Sequence, residues 1–121
     1  MQIISTPNFE ANVKFYRDKK KYKKIDRDIE TVTNELEQGN LVGDKLDNLN
    51  LPENTAVYKV RIANSSTNVG KSHGFRLLYY LAVADEIYLL AIYSKKDDIR
   101  VLSDKQIRQL IRILLEPETE E

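Results

Sequence analysis

Three apolar runs dominate the chain: Val57–Ala63, Phe75–Val83 and Ile87–Tyr93. Each is rich in β-branched and aromatic residues and free of proline, the composition of β-strands. Residues 64–74 between the first two are rich in Ser, Asn, Thr and Gly, and Ala84–Glu86 is short and acidic. Both connections read as hairpins, so the three strands should lie side by side in chain order. Upstream, Gln2–Thr6 is a short run suited to an edge strand, and Pro7 ends it. Asn8 can cap a helix whose inner face is Phe9, Val13 and Tyr16. After a break within Asp18–Lys21, Ile25, Ile29, Val32 and Leu36 mark a second helix, terminated near Gly39.

Leu41–Thr55 reads as irregular, with leucines at 41, 46, 49 and 51 pinning a loop to the core. The last element is a helix over Leu102–Glu116. Ser103 and Gln106 have the spacing of a capping box, with Leu102 placed to staple onto Ile107. Its core stripe is Ile107, Leu110, Ile111 and Leu114; Ile113 and Leu115 widen the apolar surface, and Pro117 stops the helix. The order is β-α-α-β-β-β-α. It predicts an α+β domain over residues 1–121, with a largely antiparallel sheet against a helical hairpin and a C-terminal helix. The acidic tail, 116–121, is expected to be flexible.

Composition narrows the function classes. The chain has 121 residues, 19 basic and 19 acidic, so net charge gives no general argument for nucleic acid. With no cysteine and one histidine, a disulfide framework and cysteine or histidine-rich metal sites are not expected, and no cofactor is implied. No apolar run approaches the roughly 18 residues of a membrane span. The N-terminal MQIISTPNF does not read as a signal peptide. A cytoplasmic location without membrane contact is the expectation.

The distribution of charge says more than its sum. Between Asn54 and Ala84 there is no Asp or Glu, yet Lys59, Arg61, Lys71, Arg76 and His73 all fall there. Strand alternation puts Lys59 and Arg61 on one face and Tyr58, Val60 and Ile62 on the other. Such cations either stand in solvent or wait for an anion. A second basic stretch runs from Lys14 to Arg27, and within it Lys19, Lys20, Lys21, Lys23 and Lys24 read as a solvated turn with a secondary role against RNA backbone. Gly70-Lys71-Ser72 imitates the end of a phosphate-binding P-loop, but Ser65 stands where the first glycine is needed and a strand follows instead of a helix.

Tyr58-Lys59-Val60-Arg61, Gly70-Lys71-Ser72, Gly74-Phe75-Arg76, Tyr79-Tyr80 and Ile92-Tyr93-Ser94-Lys95, in this element order, resemble the RelE/ParE toxin superfamily. The likeness is to its RelE/HigB-like branch of type II toxin–antitoxin systems, and it is tight over residues 57–95. The resemblance implies a toxin that cuts mRNA on the ribosome by 2′-hydroxyl attack without a metal, restrained by a cognate antitoxin protein. Carried over by position, Lys71, Arg76, Tyr93 and Lys95 would be catalytic, and Lys59, Arg61 and His73 would bind RNA. Two departures stand out: the chain is neutral overall, and His73 replaces an expected glycine.

Such a cleavage needs a base, cations for the extra negative charge on phosphorus, and an acid for the leaving 5′-oxygen. The base would be lysine or histidine: Lys71 is the candidate, since neighbouring cations favour a neutral amine, and His73 is the alternative catalytic residue. Arg76 suits a phosphate clamp. Tyr93 would stack on a base or orient the phosphate, and Lys95 would act as acid or clamp. Other readings of the same residues remain open. Tyr79, Tyr80 and Tyr88 suit packing, Arg61 could pair with the acidic 44–53 loop, and Arg76 could sit at the core rim. A ParE-like gyrase inhibitor acting by binding, a weak family member that mainly binds its antitoxin, and an unrelated α+β interaction module are the alternatives.

Overall fold

The computed structural model describes residues 1–116. Pro117 and the rest of the acidic tail lie outside the described residues. Five strands form one open sheet: β1 (Gln2–Ser5), β2 (Asp44–Lys45), β3 (Ala56–Ile62), β4 (Phe75–Leu81) and β5 (Glu86–Ser94), in the order β1-β5-β4-β3-β2. Three helices accompany them: α1 (Pro7–Lys14), α2 (Ile25–Glu37) and α3 (Asp104–Leu115). The architecture is the expected α+β, and β3, β4 and β5 are adjacent and antiparallel. The exception to antiparallel order is β1, which runs parallel to β5, with Gln2 opposite Glu86 and Ser5 opposite Leu89.

The sheet is covered on both faces. Phe9, Val13 and Tyr16 of the first helical segment, and Ile25, Ile29, Val32 and Leu36 of α2, pack on Val60, Ile62, Phe75, Leu77, Tyr79, Ile87, Leu89 and Ile92. On the other face Ile107 and Ile111 of α3, with Leu49 from the long loop, pack on Val57, Leu78, Tyr80, Leu90, Ala91 and Tyr93. Leu90 and Ala91 share a face because the β4–β5 register shifts at Leu78/Tyr79. One extra residue in a strand reverses the alternation from there on.

Local chemistry departs from the sequence reading in three places. The cap of α1 is Thr6, not Asn8: the Thr6 hydroxyl accepts the Phe9 N–H, and Pro7 takes the first helical position, where its missing N–H costs nothing. Within Leu41–Thr55 a two-residue strand forms, pairing Asp44 with Lys59 and Lys45 with Tyr58. Gly43 precedes it at φ +97, and a Cβ there would lie 2.7 Å from the Lys59 carbonyl oxygen. The helical hairpin breaks through a π-turn at Phe15–Lys19 and a left-handed Lys21.

α1 also does something its apolar spacing does not disclose. β1 covers the edge of β5 only as far as Leu89. Beyond it, α1 and the π-turn that continues it supply the partners. The Asn8 amide donates to the Leu90 carbonyl, Asn12 Oδ1 accepts the Ile92 N–H, and the Tyr16 hydroxyl accepts the Ser94 N–H. These three residues are four apart, one face of a helix laid along a strand edge.

Candidate functional site

β3, β4 and β5 carry the predicted site residues to one end of the sheet. Arg61 is opposite Arg76 on β4, and Arg76 is opposite Tyr93 on β5, so the three form a row across adjacent strands. Directly opposed residues have Cβ atoms about 5 Å apart. Lys59 lies two residues from Arg61 on the same face. Lys71 and His73 are exposed on the loop that returns into β4, and Lys95 is exposed just beyond β5. The Lys95 N–H donates to the Gly74 carbonyl, which ties that end of β5 to the loop.

Arg76 is the centre of this arrangement and is only 8% exposed. Its guanidinium donates to the Lys71, Ser72 and Phe75 carbonyl oxygens at 3.1–3.2 Å. It therefore holds the loop that carries Lys71, Ser72 and His73, leaving two N–H donors uncommitted. Burial lowers its pKa from the usual arginine value; the Arg61 charge lowers it further, and Tyr93 acts in the opposite sense. The expected clamp is thus also a structural tie. Gly74 permits the close approach of this loop to β3, since a Cβ there would collide with the Ile62 carbonyl oxygen and approach the Asn64 N–H.

Tyr93 is 5% exposed and belongs to the core cluster under α3. Its ring is not open to stack on a base as placed. Tyr79 and Tyr80 are also buried, in agreement with their packing role, and Tyr88 is half-buried. The alternative pairing of Arg61 with the acidic 44–53 loop does not form: among the described residues the ion pairs within 4 Å are those of Arg17 with Asp18 and Asp26. Among the described residues, Lys59, Arg61, Lys71, Arg76 and Lys95 all lack a carboxylate at that distance. Opposed like charges are destabilising unless something compensates them. Ser72 Oγ lies 2.9 Å from His73 Nδ1, so the loop orients its imidazole from within.

Two supporting residues escaped the sequence reading. Asp28 on α2 is buried and accepts both the Ser65 N–H and the Ser65 hydroxyl, fastening the start of the 64–74 loop. The Tyr16 hydroxyl donates to Asp97 at 2.6 Å while accepting the Ser94 N–H, fastening the end of β5 beside Lys95. Spacing alone made Tyr16 an apolar residue; its hydroxyl was the signal available. Among the described residues no cluster of three or more His, Cys, Asp or Glu side chains forms that could hold a metal. No helix among them is long and apolar enough to cross a membrane.

No family model matches the chain, and no curated protein matches it.

Proposed function

We propose that this chain is a RelE/HigB-like toxin, a metal-independent endoribonuclease that cuts mRNA on the ribosome. The observation that carries the reading is the opposition of Arg61 and Arg76 across β3 and β4 without a carboxylate partner within 4 Å among the described residues. A phosphodiester seated there would relieve the like-charge repulsion, and a transition state with added negative charge would relieve it more. In this reading Lys71 takes the proton from the 2′-hydroxyl as the 2′-oxygen attacks phosphorus. The bond from phosphorus to the 5′-oxygen breaks, and Lys95 or His73 returns a proton to that oxygen. The products are a 2′,3′-cyclic phosphate and a 5′-hydroxyl. Arg61 and Arg76 stabilise the charge on the non-bridging oxygens, while Lys59 binds the flanking backbone.

Arg76 acts with its two uncommitted donors and its charge, and Tyr93 acts through its hydroxyl instead of its ring face. The expected antitoxin would seat on the outer face of α3, where Ile113 is 63% and Leu115 53% exposed. Its identity would come from the neighbouring reading frame, tested by mixing the two products at micromolar concentration.

A second reading, inhibition by binding without cutting, is favoured by the three loop bonds of Arg76 and the burial of Tyr93. Cleavage of mRNA on translating ribosomes, with and without chelator, separates the two. The proposal expects chelator-insensitive cuts that fall by a hundredfold or more in folded Lys71→Ala and Arg61→Ala. Variants that cut as fast as wild type overturn the site; wild type that never cuts but blocks gyrase supercoiling selects the second reading.

A further inference from the structure

One groove shares no lining residue with the cationic row. About 640 Å³ in volume, it runs between α1 and α2 to the outer strand β1. Its floor is apolar, formed by Ile3, Phe9, Val13, Ile29 and Leu89. Its rim carries Glu10, Glu30 and Glu37, all exposed and without a cationic partner within 4 Å among the described residues. Against them stand Lys14 and Arg17, the latter already engaged by Asp18 and Asp26.

The backbone beside this groove is open. The Gln2 N–H donates to the Asp85 carbonyl and the Thr6 N–H to the Leu89 carbonyl, so even-numbered residues of β1 face β5. By alternation the N–H and C=O groups of Ile3 and Ser5 point outwards from the edge of the sheet. Both residues also line the groove.

We infer that β1 and this groove dock an extended basic segment of a partner protein, which adds to the sheet as a sixth strand. Its main chain pairs with Ile3 and Ser5. Alternate apolar side chains enter the groove, and lysines or arginines meet Glu10, Glu30 and Glu37. Main-chain pairing supplies affinity and the alternating side chains supply selectivity. The charge at the rim is what chooses a basic segment over an acidic one. The inference stands apart from the RNA-cleavage reading, since none of these residues belongs to the cationic row.

The test uses the full chain and two fluorescein-labelled nonapeptides, one alternating lysine with valine and the other glutamate with valine. Fluorescence anisotropy should show the lysine peptide binding at least tenfold more tightly. The double substitution Glu30→Lys/Glu37→Lys, on exposed helix positions, should remove that preference. Ser5→Pro, which deletes an outward N–H and spares the inward bonds, should weaken binding at least tenfold with the circular dichroism unchanged. Amide exchange at Ile3 and Ser5 should slow when the lysine peptide is bound. Equal binding of the two peptides, no binding at millimolar concentration, or protection that maps to β2 instead of β1 would each overturn the inference.

Discussion

Replacing Tyr16 by phenylalanine removes one oxygen and tests how the end of β5 is held. The ring is fully buried, packed edge-on against Phe75 and stacked on Tyr22, and phenylalanine keeps those contacts. What is lost is the acceptor for the buried Ser94 N–H and the donor to Asp97. Stranding a buried donor costs about 1–3 kcal/mol, and a hydrogen bond to a charged group contributes about 1.5–3. The substitution should therefore destabilise the fold by about 3 kcal/mol. With a urea slope of about 1.5 kcal/mol/M, the midpoint should fall by about 2 M.

The same residue sets part of the alkaline limit. Burial, then the bond to Asp97, raises the Tyr16 phenol well above its ordinary value; burial, then Tyr58, does the same for Tyr79. A raised folded-state pKa contributes stability that is complete below the unfolded value near 10 and is lost as pH climbs towards the folded value. Each phenol should then remove about 1.4 kcal/mol per pH unit above about pH 10, or about 2.7 for the two. Urea titrations from pH 8 to 11 measure both quantities. Tyr16→Phe should lose about half of the alkaline slope as well as its midpoint at pH 8. A midpoint within 0.3 M of wild type, by the resolution of such curves about 0.5 kcal/mol, would refute this account of the β5 terminus.

Other perturbations follow from the same contacts. Asn12→Ala should cost about 1–3 kcal/mol in urea unfolding, because the Ile92 N–H loses its acceptor beside the register shift. Gly74→Ala should cost more than about 3 kcal/mol, or displace the 64–74 loop in the amide spectrum, since backbone atoms of β3 cannot yield to a Cβ. Ala84 sits at φ 62 in the β4–β5 connection, so Ala84→Gly should raise the unfolding free energy in urea by about 1 kcal/mol, close to what L-residues forfeit in the left-handed region. Arg61→Ala and Lys59→Ala should each flatten the salt dependence of single-stranded RNA binding by about 0.7 in logarithmic slope, the signature of one lost phosphate contact.

The main strands were legible because Val57–Ala63, Phe75–Val83 and Ile87–Tyr93 have strand composition and turn chemistry between them; the structure keeps the start at Phe75 and moves the other ends by one or two residues. The stripe Ile25, Ile29, Val32, Leu36 and the Ser103–Gln106 capping box were legible for the same local reason, and both form. What spacing could not show was long-range. The two-residue β2 is made by pairing with β3, not by the propensity of Asp44 and Lys45. Asn8 looked like a cap because caps are local, whereas its amide is engaged by Leu90, far along the chain. For the candidate site, alternation placed Lys59 and Arg61 on one face, but only register brings Arg61, Arg76 and Tyr93 into a row. Neither the burial of Tyr93 nor the loop bonds of Arg76 follow from residue type, because both depend on where α3 and the 71–75 backbone come to rest.

The parallel pairing of β1 with β5 has a consequence for how the chain is made. The first strand finds its neighbour only when Glu86–Leu89 has been synthesised, and α1 with its π-turn lacks its partners Leu90, Ile92 and Ser94 until still later. The β3–β4–β5 meander closes through local hairpins, whereas joining the N-terminal segment to it carries the entropy of closing a long loop. Residues 1–37 should therefore emerge from the ribosome as helices without a sheet to cover, their apolar stripes open to chaperones. A nascent chain arrested before residue 86 should be readily proteolysed, and one arrested with residue 94 clear of the exit tunnel should be protected at both ends at once.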